Sequence, residues 1–146
     1  MPASRGVIEL RVRYSETDQM QVVYHANYLV WCEIGRTELI RQLWGSYADV
    51  ERAGVALAVV DASLRYHAPA RYDDLVRITT TVREVKSRTV TFEYLLENAT
   101  TGQRLASVST TLIAFTRDAT VTVLPTELRS ALGQHETSGH SFVSVC

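Results

Sequence analysis

The chain has 146 residues, of which 46% are hydrophobic, and a formal net charge of −1. This is the length of one domain, with enough apolar content for a core. The near-neutral charge offers no general attraction to nucleic acid or to an anionic membrane, so no nucleic-acid partner is expected.

The two cysteines, Cys32 and Cys146, make neither a disulfide framework nor a zinc spacing. A reduced, cytoplasmic setting is expected. The opening MPASRGVIEL lacks the apolar stretch of a signal peptide. No apolar run approaches the roughly 18 residues of a membrane span.

Residues 8–14, IELRVRY, alternate. Ile8, Leu10, Val12 and Tyr14 share one face, and Glu9, Arg11 and Arg13 the other, as in a half-buried strand. After about ten patternless residues the period changes. From Ala26 onward, Tyr28, Trp31, Cys32, Gly35, Leu39 and Leu43 fall on one helical stripe, opposite Glu33, Arg36, Thr37 and Arg41. Gly35 on that stripe suggests close packing against a sheet, because glycine costs a helix about 1 kcal/mol against alanine. Gly45 is a plausible stop. SYADVERAG reads as a short second helix capped by Ser46 and ended by Gly54.

The rest is β-rich. Residues 55–67 form a long, mostly apolar strand with a bend at Asp61, and APARYDD is a loop. Val76, Ile78, Thr80 and Val82 alternate in the next strand, KSR is a tight turn, and Val90, Phe92, Tyr94 and Leu96 alternate in the strand after it. NATTGQ turns at Gly102 into a strand over 104–116, followed by a short strand at 120–124 and a last helical turn or two from Pro125. The expected order is therefore one strand, a long helix, a short helix and about five strands. This is an α+β chain whose antiparallel sheet wraps its concave face around the one long helix. The domain is expected over 1–132, with 133–146 a polar tail unless Phe142 and Val143 dock.

One stretch combines these signals with chemistry. VRYSETDQMQVVYHANYLVWCEIGRTELIR resembles the opening of the 4-hydroxybenzoyl-CoA thioesterase family, and most closely its short-chain acyl-CoA thioesterase branch related to the Tol–Pal-associated protein. Thr17, Asp18, Val22, Val23, Tyr24, His25, Asn27 and Tyr28 match the family motif, and LRYHAPARYDDLVRITTTV resembles its second recurrent segment. The resemblance covers about residues 7–125. It implies a hotdog fold, dimers or tetramers with sites at subunit interfaces, no metal or cofactor, and hydrolysis of acyl-CoA thioesters. In the family pattern a glycine follows the aspartate by three residues; this chain has Gln21. Glycine there signals positive φ or a close approach to ligand.

Thioester hydrolysis needs a nucleophile or base, an oxyanion stabiliser and a grip on the carrier. Asp18 supplies the first, by attacking the carbonyl or by activating water; position alone also allows a cap or turn role. Backbone N–H groups at the helix start, around Tyr24 and His25, suit the oxyanion. His25 could also position water or simply fix the loop. Gln21 and Val22 would border the substrate. For the phosphates of CoA the candidates are Lys86, Ser87 and Arg88 on their turn, then Arg71, although solvated turn residues are the simpler reading of all four. Tyr14 is expected to pack beside Val12, Asn27 to order the helix start, His67 to be a strand histidine, and Glu33 and Glu38 to be structural. Two rival readings stand: a non-catalytic acyl-binding or interaction protein, favoured by Gln21, and a dehydratase or hydratase.

Overall fold

A computed structural model of the protein describes residues 5–45 and 47–133. Ser46 as a cap, and the segment holding Phe142 and Val143, lie outside these residues.

Strand β1 (Arg5–Arg11) leads through a 3-10 turn (Tyr14–Glu16) and a loop to helix α1 (Asn27–Leu43) and helix α2 (Tyr47–Arg52). Strands β2 (Ala56–Tyr66), β3 (Leu75–Val85), β4 (Thr89–Asn98) and β5 (Arg104–Phe115) follow, and helix α3 (Thr126–Gly133) closes the order. The five strands form one antiparallel sheet in the order β1-β3-β4-β5-β2. The chain is thus α+β, as its patterns indicate.

Local chemistry accounts for most of this. The β3–β4 and β4–β5 connections are short hairpins. Gly102 takes φ 78 in the second, where the Asn98 side chain accepts the Thr100 and Thr101 amides at 2.9 and 3.1 Å. Gly54 ends α2 region with φ 85. Gly45 follows directly on the Trp44 cap of α1, which stops at Leu43, and the Trp44 and Gly45 amides both turn back to the Ile40 carbonyl. The expected bend in β2 is a register shift between Val59 and Asp61.

The α1 stripe is buried at Tyr28, Trp31, Cys32, Gly35 and Leu39. It packs on β1 and β3, where Gly35 faces Thr80 and Ile78 so closely that any Cβ would collide. Val76, Ile78, Val82, Val90, Phe92, Leu96, Leu105 and Leu112 complete the core from the sheet, with Leu128 and Leu132 from α3.

Three expectations are corrected. Tyr14 does not continue the β1 face. The strand ends at Arg11, the chain turns, and Tyr14 stands 77% exposed, edge-on to Tyr72 at 5.7 Å. The segment 120–124 is no strand: Ala119 takes φ 63, and only an isolated Phe115–Val121 bridge forms. Gly133, read as the start of the tail, is the last residue of α3. Among the described residues no helix is long and apolar enough to cross a membrane.

Candidate active site

The loop between β1 and α1 is built on Glu16. Its side chain is only 7% exposed, because it serves groups inside the fold. Oε1 accepts the Arg13 amide at 2.8 Å, and Oε2 accepts the Trp31 indole N–H at 2.9 Å. The Glu16 carbonyl accepts the Tyr24 amide at 2.9 Å and the Asn27 side-chain amide at 2.9 Å. One residue therefore ties the turn before the loop to the first turns of α1. Asn27 orders the helix start as expected, while Ala26 at the N-cap contributes no side-chain bond.

From Glu16 the chain makes a tight excursion and returns. Thr17 and Val23 form an antiparallel bridge, the Asp18 amide donates to the Val22 carbonyl at 2.9 Å, and the Gln21 amide donates to the Asp18 carbonyl at 2.9 Å. Gln21 has φ 66, the left-handed conformation in which glycine carries no steric penalty. Asp18 is partly buried. Its Oδ1 accepts the Met20 amide at 2.8 Å, the turn role that position alone allowed. Its other oxygen has no hydrogen-bond partner among the described residues.

The two amides expected at the helix start differ. Tyr24 N–H is already spent on Glu16, whereas His25 N–H finds no acceptor among the described residues. The His25 ring is exposed and lies against Tyr24 at 4.4 Å.

A cleft of about 300 Å3 opens beside His25, lined by Val23, His25, Tyr28, Tyr66, His67, Ala68 and Pro69. Its walls come from separate parts of the chain. The Tyr66 hydroxyl at the end of β2 donates to the His25 carbonyl at 2.9 Å. The Tyr28 hydroxyl accepts the Ala70 amide at 3.0 Å, and the Ala70 carbonyl accepts the Val23 amide at 2.8 Å. Tyr28 and Tyr66 meet edge to face at 5.2 Å. Burial raises the pKa of both phenols, so they remain protonated donors or acceptors at neutral pH.

The basic candidates separate. Arg71 follows Ala70 directly, is exposed, and has no acidic partner for its guanidinium among the described residues. Lys86, Ser87 and Arg88 lie elsewhere. Leu75 at the start of β3 pairs with Arg11, next to the loop, whereas the turn follows Val85 at the strand's other end. An 11-residue strand puts roughly 30 Å between them within one protomer. Lys86 instead pairs with Glu84 at 3.6 Å, and the Ser87 and Arg88 carbonyls accept the Leu124 and Ala114 amides.

His67 is no strand residue. It follows β2, lines the cleft and lies 2.9 Å from Ser107 Oγ through Nε2. Glu38 pairs with Arg41 at 3.1 Å, and Glu33 is exposed, so both are peripheral. Glu16 and Tyr66 were missed as site residues. Glu16 sits beside the Thr-Asp pair, but nothing local tells a buried carboxylate from a solvated one. Tyr66 lies 41 residues from its partner, and only the fold joins them.

The chain thus combines an antiparallel sheet with a loop that carries Asp18 and leads to the His25 amide before a long helix. The chain belongs to the Thioesterase-like superfamily, whose family model matches residues 12–132. YneP of Bacillus subtilis is 43% identical over 90 residues, which are 62% of this chain and 65% of YneP. The matched stretch thus spans a little under two thirds of that relative's length. The acyl-CoA thioester hydrolase YbgC of Escherichia coli O157:H7 is 36% identical over 90 residues, 62% of this chain and 67% of YbgC. The crystal structure of a DHNA-CoA thioesterase from Staphylococcus aureus superposes with a TM-score of 0.85 at 28% identity, covering 97% of this chain and 94% of that one.

Proposed function

We propose that the protein is an acyl-CoA thioesterase of the short-chain branch that its first motif resembles. It would hydrolyse short-chain aliphatic or aromatic acyl-CoA, with Asp18 as nucleophile or general base. The observation that carries this reading is the Thr17–Val23 loop. Gln21 stands where the family pattern has glycine, yet takes φ 66. The backbone therefore keeps the turn a glycine would give, and the substitution no longer argues for a non-catalytic protein.

The chemistry balances in either course. As general base, Asp18 takes a proton from water while the water oxygen bonds to the thioester carbon. The carbonyl electron pair moves onto oxygen, and the His25 amide donates to that oxyanion. Collapse restores the carbonyl and breaks the C–S bond; CoA leaves as thiolate and receives the proton from Asp18. As nucleophile, an Asp18 oxygen bonds to the carbon, CoA thiolate leaves, and water cleaves the anhydride. Both yield the free acid and CoA, with no cofactor beyond the CoA of the substrate. Arg71, exposed and two residues after the cleft-lining Pro69, is the favoured grip on a CoA phosphate.

The setting follows the same reading: a cytoplasmic homodimer or homotetramer in which the hotdog sheet wraps α1. Strand β2 is the edge suited to pairing. Val59 and Val60 are 47% and 58% exposed, and this 11-residue strand carries two charges, Asp61 and Arg65, whereas the 7-residue β1 edge carries three, Arg5, Glu9 and Arg11.

The test is free-thiol release from a panel of acyl-CoAs, short, long and aromatic, by wild type and Asp18→Asn. Turnover by wild type with a loss of about a hundredfold or more in the variant is expected. Saturable binding without turnover by either protein would sink the reading in favour of an acyl-binding module.

A further inference from the structure

The unpaired His25 amide is held from both sides. Its peptide unit begins with the Tyr24 carbonyl, which accepts the Asn27 amide at 2.9 Å. The preceding unit is fixed because Tyr24 N–H donates to the Glu16 carbonyl at 2.9 Å. The following unit is fixed because the His25 carbonyl accepts the Tyr66 hydroxyl at 2.9 Å. In a trans peptide N–H and C=O point oppositely. The Asn27 bond therefore directs His25 N–H away from the helix, and the flanking bonds restrain its rotation.

Two of these anchors are local, within the loop and the helix start. The third comes from the far end of β2 and is a side chain. We propose that Tyr66 is a positioning residue for thioester hydrolysis: its hydroxyl, through the His25 carbonyl, holds the His25 amide aimed at the oxyanion. A donor fixed before the reaction stabilises developing charge without reorganising. An unanchored His25 peptide would lose part of that advantage. The inference rests on the catalytic reading above, and deepens it by assigning a role to Tyr66, which lies in the second recurrent segment and not in the loop or the helix.

Tyr66→Phe is the direct test, since it keeps the ring against Tyr28 and removes only the hydroxyl. Tyr66 is 48% exposed, so folding should be undisturbed, and the melting temperature is measured to check this. Steady-state kinetics are taken with an acetyl, a butyryl and a benzoyl thioester of CoA. The expected result is a fall in kcat of roughly two- to tenfold, the value of one hydrogen bond. It should be equal for all three acyl groups, with KM and melting temperature unchanged, because the oxyanion is common to all three.

Unchanged kcat would overturn the assignment. So would a loss that falls on KM and varies with the acyl group, which would make Tyr66 a wall of the substrate pocket. So too would a fall in kcat matched by a fall in melting temperature. Absence of turnover by wild type would overturn the catalytic reading and this inference with it; turnover by wild type with an unaffected variant would overturn the inference alone.

Discussion

Gly35→Ala tests how α1 is seated on the sheet, and so how the helix start is presented to the cleft. A Cβ at position 35 would lie 2.5 Å from Thr80 Oγ1 and 3.1 Å from Ile78 Cγ2. Thr80 is fully buried and its hydroxyl has no hydrogen-bond partner among the described residues, so the clash cannot be relieved into solvent. Being β-branched, its side chain can turn only by driving its methyl or hydroxyl into another packed neighbour. Overpacking of this kind costs about 1–3 kcal/mol. Alanine returns about 1 kcal/mol of helix propensity. The net loss should be about 0–2 kcal/mol, which lowers the melting temperature by up to roughly 6 °C for a chain of this size. Thermal unfolding followed by circular dichroism is the assay. Adding Thr80→Ala removes the nearest clashing atom. The double variant should recover about 1 kcal/mol relative to Gly35→Ala, a non-additivity expected only of residues in contact. A Gly35→Ala protein more stable than wild type, as for an exposed helical glycine, would refute the reasoning.

Gln21→Gly should stabilise the protein by about 0.5–1 kcal/mol, because relief of left-handed strain of about 1–2 kcal/mol exceeds the entropy a glycine adds to the unfolded chain. Thiol release should be retained; a lower urea midpoint would count against the φ of 66 at this residue. Glu16→Ala strips the acceptor from the Trp31 indole and the Arg13 amide and should cost about 2–4 kcal/mol, with Glu16→Gln losing less because one carbonyl acceptor remains; equal denaturation midpoints for the two variants would contradict this. At high pH the fold should weaken. Burial pushes Tyr94 from 10.0 to about 12 and Cys32 from 9.0 to about 12, so the fold favours their protonated forms. The unfolded chain releases these protons first. Stability is therefore full below about pH 9 and declines as pH rises toward 12, and a constant unfolding free energy from pH 8 to 11 would refute the sign.

Periodicity made much of the architecture readable. The Ile8, Leu10 alternation and the Val76 to Val82 and Val90 to Leu96 alternations report strands because each side chain answers to one buried face. The Tyr28 to Leu39 stripe reports α1 for the same reason. The expectation of a tight helix–sheet contact at Gly35 also came from one local fact, a glycine on a buried stripe. Tyr14 failed the same logic: it continues the two-residue period of β1, but the chain has already turned. A short segment such as 120–124 has β-type residues without a partner strand to pair fully with.

The candidate site divides along the same line. The amino-acid order alone determined that a carboxylate, Asp18, stands in a loop before a long helix; the family resemblance added that Gln21 occupies a glycine position. Local sequence encodes spacing along one segment, and this much needs only spacing. Only the tertiary structure decided that Gln21 nonetheless takes the left-handed turn, that Tyr24 N–H is consumed while His25 N–H has no acceptor among the described residues, and that Glu16 is buried as an anchor. It also decided that Tyr66 lines the cleft and that Ala70 bonds the Tyr28 hydroxyl, while the Lys86–Arg88 turn lies at the opposite end of β3. Those outcomes depend on which groups from distant parts of the chain reach one another. Hydrogen bonds and burial are properties of such pairs, and no window along a single chain contains both partners.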